Sequence, residues 1–459
     1  MHDRATKRRV ALVAFLAAAA TASSALAQET KFSTLYTFDA PNPATFASPD
    51  GSQVDTLPAF GPGNTVYGMT YDGGENGNGV IYKYDLGSHE YTVLYTFSAL
   101  DANGDNPDGA NPGVALTRGP GDVFYGMASD GGQNGTGTVF MITASGHFAV
   151  LHTFSALDAN GHNVDGAAPL RTIVVGRDGK LYGTTRLGGE NSCGVAPFVK
   201  GCGVAWVMDR QGNHFKVLHQ FAQSEGHAAS LLQAHDGFLY GCAVWPATSV
   251  PSGAPLPSGI LYRMGTSGSP FQVLYTFSQT DSNGENTDGA DCYEPLVEAD
   301  PGVFYGAAFY GGTNGNGVVF RYSLRAPGVI DVVHDFSATT SGANWDGANP
   351  DGRLTAGPDG ALYSNAWGGG MNGNGVIYAV WPDGAFEVLH TFSATNPTTG
   401  ANRDGANADD GVLVDWENDT LIGIANYGGQ GSSAGFSYTG GTLYQLKLHE
   451  SECGGEGQP

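Results

Sequence analysis

The stretch VLYTFSALDANGDNPDGANPGVALTRGPGDVFYGMASDGGQNGTGTVFMI, Val93 to Ile142, decides the fold. Val93-Leu94-Tyr95-Thr96-Phe97 alternates at period two, and a polar loop follows. Gly113 to Thr117 is apolar, and Val123 to Ala128 and Thr138 to Ile142 flank a Gly-Gly turn. Four short segments with tight turns spell one antiparallel sheet. The same order recurs with Phe-ended strands at Phe38, Phe97, Phe154, Phe221, Phe277, Phe336 and Phe392. A unit of this size cannot bury its own apolar face, so the copies must stack, and a count of seven suits a closed ring. The expected fold is all-β: a single seven-bladed β-propeller of four-stranded antiparallel blades over residues 28–449.

The third segment reads Val66-Tyr67-Gly68, Phe124-Tyr125-Gly126, Leu181-Tyr182-Gly183, Leu239-Tyr240-Gly241 and Phe304-Tyr305-Gly306, then drifts to Leu362-Tyr363-Ser364 and Leu421-Ile422-Gly423. The aromatic reads as a packing element with a hydroxyl to satisfy. The glycine after it suggests close approach of a neighbouring backbone or sheet, which adjacent blades would supply. The chain starts with Leu35-Tyr36-Thr37-Phe38 and stops after Thr442 to Leu448, so its ends are offset by one strand. The N-terminal strand is therefore expected to complete the last blade and close the ring.

Arg4, Lys7, Arg8 and Arg9 precede an apolar run from Val10 to Ala20 and the small-residue stretch to Ala27. This reads as a signal peptide over residues 1–27, too short to cross a bilayer, which takes ~20 residues. Arg8-Arg9 leaves both the general and the twin-arginine export routes open. Residues 450–459 read as a flexible tail. The expected location is secreted, extracellular or periplasmic, with no membrane span and a monomeric chain. A formal net charge of −24 repels nucleic acid and anionic lipid. Seventy-one glycines without a triplet period exclude collagen and belong to turns.

The combination V-L-[YH]-x-F, D-G-A-N-P, L-Y-G and G-G-x-N-G-x-G-x-[VI]-[FY] resembles the GloVer tandem repeat of bacterial "choice-of-anchor" exported proteins. The resemblance covers essentially all of residues 28–449 and implies a propeller-like exported protein, without general catalytic residues to carry over. Such proteins often end in a sorting or anchoring tail; no hydrophobic one is seen here, which favours a soluble product.

Two polar loops are expected on one face of the disc. One is N-x-D-G-A, at Asn106/Asp108, Asn163/Asp165, Asn286/Asp288, Asn344/Asp346 and Asn402/Asp404; the other is G-G-x-N-G, around Asn76, Asn134, Asn314 and Asn372. Asp and Asn before Gly are turn formers that bond nearby amides, so repetition favours turn and inter-blade bonding over a ligand ring. Calcium at Asp101 to Asp108 is the one metal considered, and the run departs from a calcium loop at Asn106 and Pro112. No other cofactor is expected.

Function in a repeat protein is sought where the repeat breaks, in the third and fourth copies. There Arg186, Glu190, His227, Trp245, Tyr293 and Glu294 are expected on one sector of the same face. Ligand-binding candidates are Arg186, Glu190, Trp245 and Tyr293; catalytic candidates are His227, Tyr293 and Glu294. Trp and Tyr can stack on a sugar, His or Tyr can act as base beside an Arg that neutralises a uronate, and two carboxylates would suit glycoside hydrolysis. The bland alternative is that these insertions cap a bare patch. Cys193 with Cys202, and Cys242 with Cys292, are expected to form disulfides in an oxidising compartment, leaving Cys453 over. His152, His219, His334 and His390 alternate with Tyr in the repeat strand and read as structural. No P-loop, dinucleotide fingerprint or G-x-S-x-G elbow occurs. The expected function is a binding or scaffold module for an extracellular glycan; the rivals are a polysaccharide lyase or glycoside hydrolase, and a purely structural surface protein.

Overall fold

The computed structural model describes residues 30–113, 115–193, 200–244, 258–429 and 439–448. Strands in these residues form seven antiparallel blades, with no helix among them. Blade 2 runs from the axis outward as Thr117–Arg118, Val123–Ala128, Thr138–Thr143 and Phe148–Thr153. The innermost strand is shorter than the apolar run Gly113 to Thr117 suggested. Pro112 lacks an N–H and Asn111 has φ 55°, which keeps the start of that run out of the ladder, and the strand itself is Thr117–Arg118.

Each ring joint has one apolar cluster. Between blades 1 and 2, Tyr67, Met69, Ile81 and Phe97 pack on Leu116, Phe124, Phe140 and Ile142. All seven repeat phenylalanines are buried. Each N–H donates to a glycine carbonyl before the third strand, as from Phe97 to Gly79 at 3.2 Å. The aromatic at the blade interface is thus held edge-on, with Phe97 5.5 Å from Phe140 and Phe38 5.5 Å from Tyr82.

The L-Y-G glycine is explained differently from the sequence expectation. Gly68 pairs with Tyr82, Gly126 with Phe140, Gly183 with Trp206 and Gly241 with Tyr262, all inside one blade. A Cβ on Gly68 would collide with the Tyr82 ring, which lies across the glycine. The close neighbour is chiefly the cross-strand aromatic and not an adjacent blade.

Ring closure follows the expected offset. Lys31–Thr37 pairs with Thr442–Lys447, from Lys31↔Lys447 to Thr37↔Thr442, as the outer strand of the seventh blade. Phe38, Ile422, Ile424 and Leu443 then pack on Val54, Val66, Tyr82 and Tyr84 of blade 1. Two disulfides form, Cys193 with Cys202 and Cys242 with Cys292. The second joins blade 4 to the start of blade 5. The expected leader, the tail and Cys453 lie outside the described residues.

Candidate functional site

The N-x-D-G-A loops carry each outer strand over to the next inner strand, and their polar groups are spent on that task. Asn106 Nδ2 donates to the Ser98 and Gly109 carbonyls, while its Oδ1 accepts from Gly109 and Gly132 N–H. Asp108 Oδ2 accepts from the Ser98 backbone, the Ser98 hydroxyl and Tyr95 Oη. Where the repeat strand has His, the ring takes the Tyr role: His152 meets Asp165, His334 meets Asp346 and His390 meets Asp404, each at 3.1 Å. Burial alone would raise those three carboxyls; hydrogen bonds from His and Ser outweigh it and hold them below the usual range. Asn76 and Asn134 of the other loop donate to the Phe97 and Phe154 carbonyls. Asp101 Oδ1 accepts from Asn103 and Asp105 N–H in its own turn. Among the described residues no group of three or more His, Cys, Asp or Glu could hold a metal ion.

The repeat diverges just after D-G-A, where the chain turns into the channel. The residue following it, as at Asn111, Asp291, Asn349 and Asn407, has φ between 55° and 60°, a conformation Asn and Asp tolerate. The next positions carry Arg171, Tyr293, Glu294, Asp351, Asp409 and Asp410, with Asp55 from the first blade. In the seventh blade a bulge between Asp409 and Val412, with φ 55° at Asp410, turns that carboxylate toward its neighbours.

These side chains interlock. Arg171 Nη1 lies 2.5 Å from Glu294 Oε1 and its Nη2 3.9 Å from Asp351 Oδ1. Arg353 donates through Nε and Nη2 to Asp410 Oδ1 at 3.0 and 2.6 Å, and Asp410 Oδ2 accepts the Leu57 N–H at 2.7 Å. One carboxylate therefore ties the sixth, seventh and first blades. Burial pushes the Glu294 carboxyl up to about 8, with Arg171 opposing the rise. Burial likewise raises Asp55 and Asp409, and takes Asp291 to about 7 against the Tyr293 hydrogen bond. Asp55 Oδ1 and Glu294 Oε2 have no hydrogen-bond partner among the described residues, as expected of carboxyls whose ionised form is poorly solvated. Burial would lower Arg171, but the surrounding carboxylates win and keep it a cation.

Beside this cluster a cavity of about 220 Å³ is lined by Arg171, Arg186, His227 and Tyr293 and closed by Leu170, Ala228, Ala229 and Val244. His227 Nδ1 lies 2.9 Å from the Arg186 carbonyl. A carbonyl only accepts, so Nδ1 carries the hydrogen and Nε2 is the basic nitrogen of the neutral ring. The Arg171 guanidinium lies 5.3 Å from the Tyr293 ring centroid. From Tyr293 an aromatic series leads to Phe309 at 6.1 Å and on to Tyr310 at 4.6 Å, which is 42% exposed. A second cavity of about 630 Å³ lies along the inner strands, between Thr117, Thr172, Leu231, Leu296 and Arg353.

The sequence matches the family described as Gloeobacter/Verrucomicrobia repeat over residues 24–198 and again over 196–438. The chain belongs to this repeat family. No curated protein matches it. Among solved structures, an oligogalacturonate lyase in complex with manganese is similar at TM-score 0.52 and 12% identity, covering 92% of this chain and 99% of that one. A puromycin-hydrolyzing peptidase of Mycobacterium tuberculosis is similar at TM-score 0.48 and 12% identity, covering 85% of this chain; the chain spans 53% of that protein. Likeness at such identity is likeness of fold.

In this Gloeobacter/Verrucomicrobia repeat protein, three of the expected site residues, Arg186, His227 and Tyr293, meet at the 220 Å³ cavity. Glu294 stands behind its wall, bonded to Arg171. Glu190 is exposed and does not line the cavity; its N–H donates to Gln220 Oε1 at 3.0 Å. Trp245 lies outside the described residues. Arg171, Arg353, Asp55, Asp351, Asp409 and Asp410 were not expected. Their signal is positional: the repeat is constant through D-G-A and varies in the next five residues, the ones that face the channel.

Proposed function

We propose that this protein is an exported saccharide-binding propeller whose ligand seats at the channel mouth, between blades 3 and 5. The observation that carries this reading is the aromatic series Tyr293, Phe309 and Tyr310 rising from a cavity that also holds two arginines and a histidine. Sugar rings offer apolar faces to aromatic side chains and hydroxyls to polar ones, and a mostly pre-formed concavity with few polar groups suits them. The two disulfides fit an oxidising compartment. A glycan array followed by calorimetry tests it: binding is expected, and Tyr310→Ala should weaken it by about tenfold, an ordinary loss for an aromatic anchor. Absence of binding to every polysaccharide would refute the reading.

A second reading, a carbohydrate-active enzyme of the lyase type, is favoured by one detail. The Nδ1 contact of His227 makes Nε2 the basic nitrogen in a cavity shared with Tyr293 and two arginines. β-Elimination needs a base near the proton α to a carboxylate and a cation to steady the developing charge. Ultraviolet absorbance of new unsaturated uronide ends should then appear with polyuronates and vanish in His227→Ala and Tyr293→Phe. Unchanged turnover in both variants would remove this reading.

A further inference from the structure

The described side chains lining the cavity at blades 3 to 5 carry charge of the opposite sign to the chain's net charge. The chain carries 44 acidic against 20 Lys and Arg residues, yet among the described residues none of the side chains lining this cavity is a carboxylate and two are arginines. Arg171 already donates to Glu294 at 2.5 Å. The Arg186 guanidinium, by contrast, has no ion-pair partner among the described residues. Its backbone is nonetheless fixed: Arg186 lies in the strand Leu181–Leu187, and its carbonyl holds His227 at 2.9 Å. The other described lining residues, Leu170, Ala228, Ala229 and Val244, offer no acceptor side chain that could satisfy it.

Two of the acids beside the cavity are already engaged. Glu294 points its Oε1 at Arg171, and Asp291 accepts the Tyr293 hydroxyl at 3.2 Å, behind the ring that lines the cavity. An uncommitted guanidinium beside an apolar recess is a strong receptor for a carboxylate, because its planar fork donates two parallel hydrogen bonds and the recess weakens competition from water. We propose that this cavity is a subsite for the carboxylate of a hexuronate unit, with Arg186 as the group that recognises it. The inference rests on the saccharide-binding reading above and adds the charge of the sugar. Tyr293 supplies the ring face, and the His227 edge completes the polar side.

The test uses the full mature chain with both disulfides intact and three probes of matched shape: a galacturonate trimer, its methyl ester and galactotriose. Calorimetry should show the acid binding at least about tenfold more tightly than the ester, as loss of a charge-assisted pair implies. Arg186 is exposed, so Arg186→Ala should fold normally and bring the acid to the affinity of the ester, while Arg186→Lys should restore part of the difference. Equal affinity for acid and ester would overturn the inference and leave saccharide binding standing. Preference for the acid that survives Arg186→Ala would overturn the assignment of carboxylate recognition to Arg186. Binding of none of the three would overturn the inference, and the glycan array would then decide whether the saccharide reading stands.

Discussion

Gly68 shows what a single missing Cβ does in this protein. Its cross-strand partner Tyr82 is fully buried and lies flat over the glycine, so a methyl group there meets a ring that cannot swing away. Gly68→Ala should destabilise the fold by about 1 to 3 kcal/mol, the usual cost of overpacking, read as a lower urea midpoint with unchanged slope. The sixth blade has Ser364 opposite Tyr378 and directs its hydroxyl to the Arg353 carbonyl at 3.1 Å, so that blade has repacked around its side chain. The periodic glycine itself was legible in the sequence, but which neighbour crowds it was not. Strand pattern alone does not say whether a ring folds across its own sheet or reaches the next one.

At the scale of elements, the blade was legible because four strands are spelled alike seven times and an error in one copy is corrected by the others. The candidate site resists this logic: Arg171, Glu294, Asp351 and Asp410 each occur once, at positions where the seven copies disagree. Only the third and fourth copies and the loop after them break the pattern, and they point to Arg186, His227, Tyr293 and Glu294 but not to Arg171 or the other carboxylates beside the cavity. The same irregular sector contains the disulfide from Cys242, in the second strand of blade 4, to Cys292 before the inner strand of blade 5, 50 positions further along the chain. Closing a loop of that size lowers the entropy of the unfolded chain, which gives roughly 4 kcal/mol at most. The double change of Cys242 and Cys292 to Ser should cost up to that amount in urea unfolding. It should also weaken ligand binding more than the corresponding change at Cys193 and Cys202, whose bridge spans only 9 positions and is not attached to the segment that carries Tyr293. Equal effects from the two pairs would show that the second bridge does not hold the site.

For the whole molecule, the ring concentrates charge at its axis while excluding water from it, and this ties stability to pH in a definite direction. Asp291 is 4% exposed, and burial raises its carboxyl to about 7. The folded state therefore holds a proton that the unfolded chain has lost between about pH 4 and pH 7. Unfolding free energy must fall as pH rises through that window, by at most about 1.4 kcal/mol per pH unit for each such group. Glu294, raised by the same cause, adds to the slope toward pH 8. Asp165, Asp346 and Asp404 act in the opposite sense: their carboxyls are held low, so their stabilisation is present above about pH 4 and is lost as they protonate below it. The stability maximum should lie near pH 4 to 5, on the acid side of neutrality. Other blades place Asn at the position of Asp291, as Asn111, Asn349 and Asn407, with nearly the same left-handed backbone, so Asp291→Asn fits without strain. Urea unfolding of that variant across pH 4 to 8 should show a shallower decline and greater stability than the parent at pH 8, with the acid limb unchanged. An unaltered slope would mean that Asp291 does not hold its proton in the folded ring.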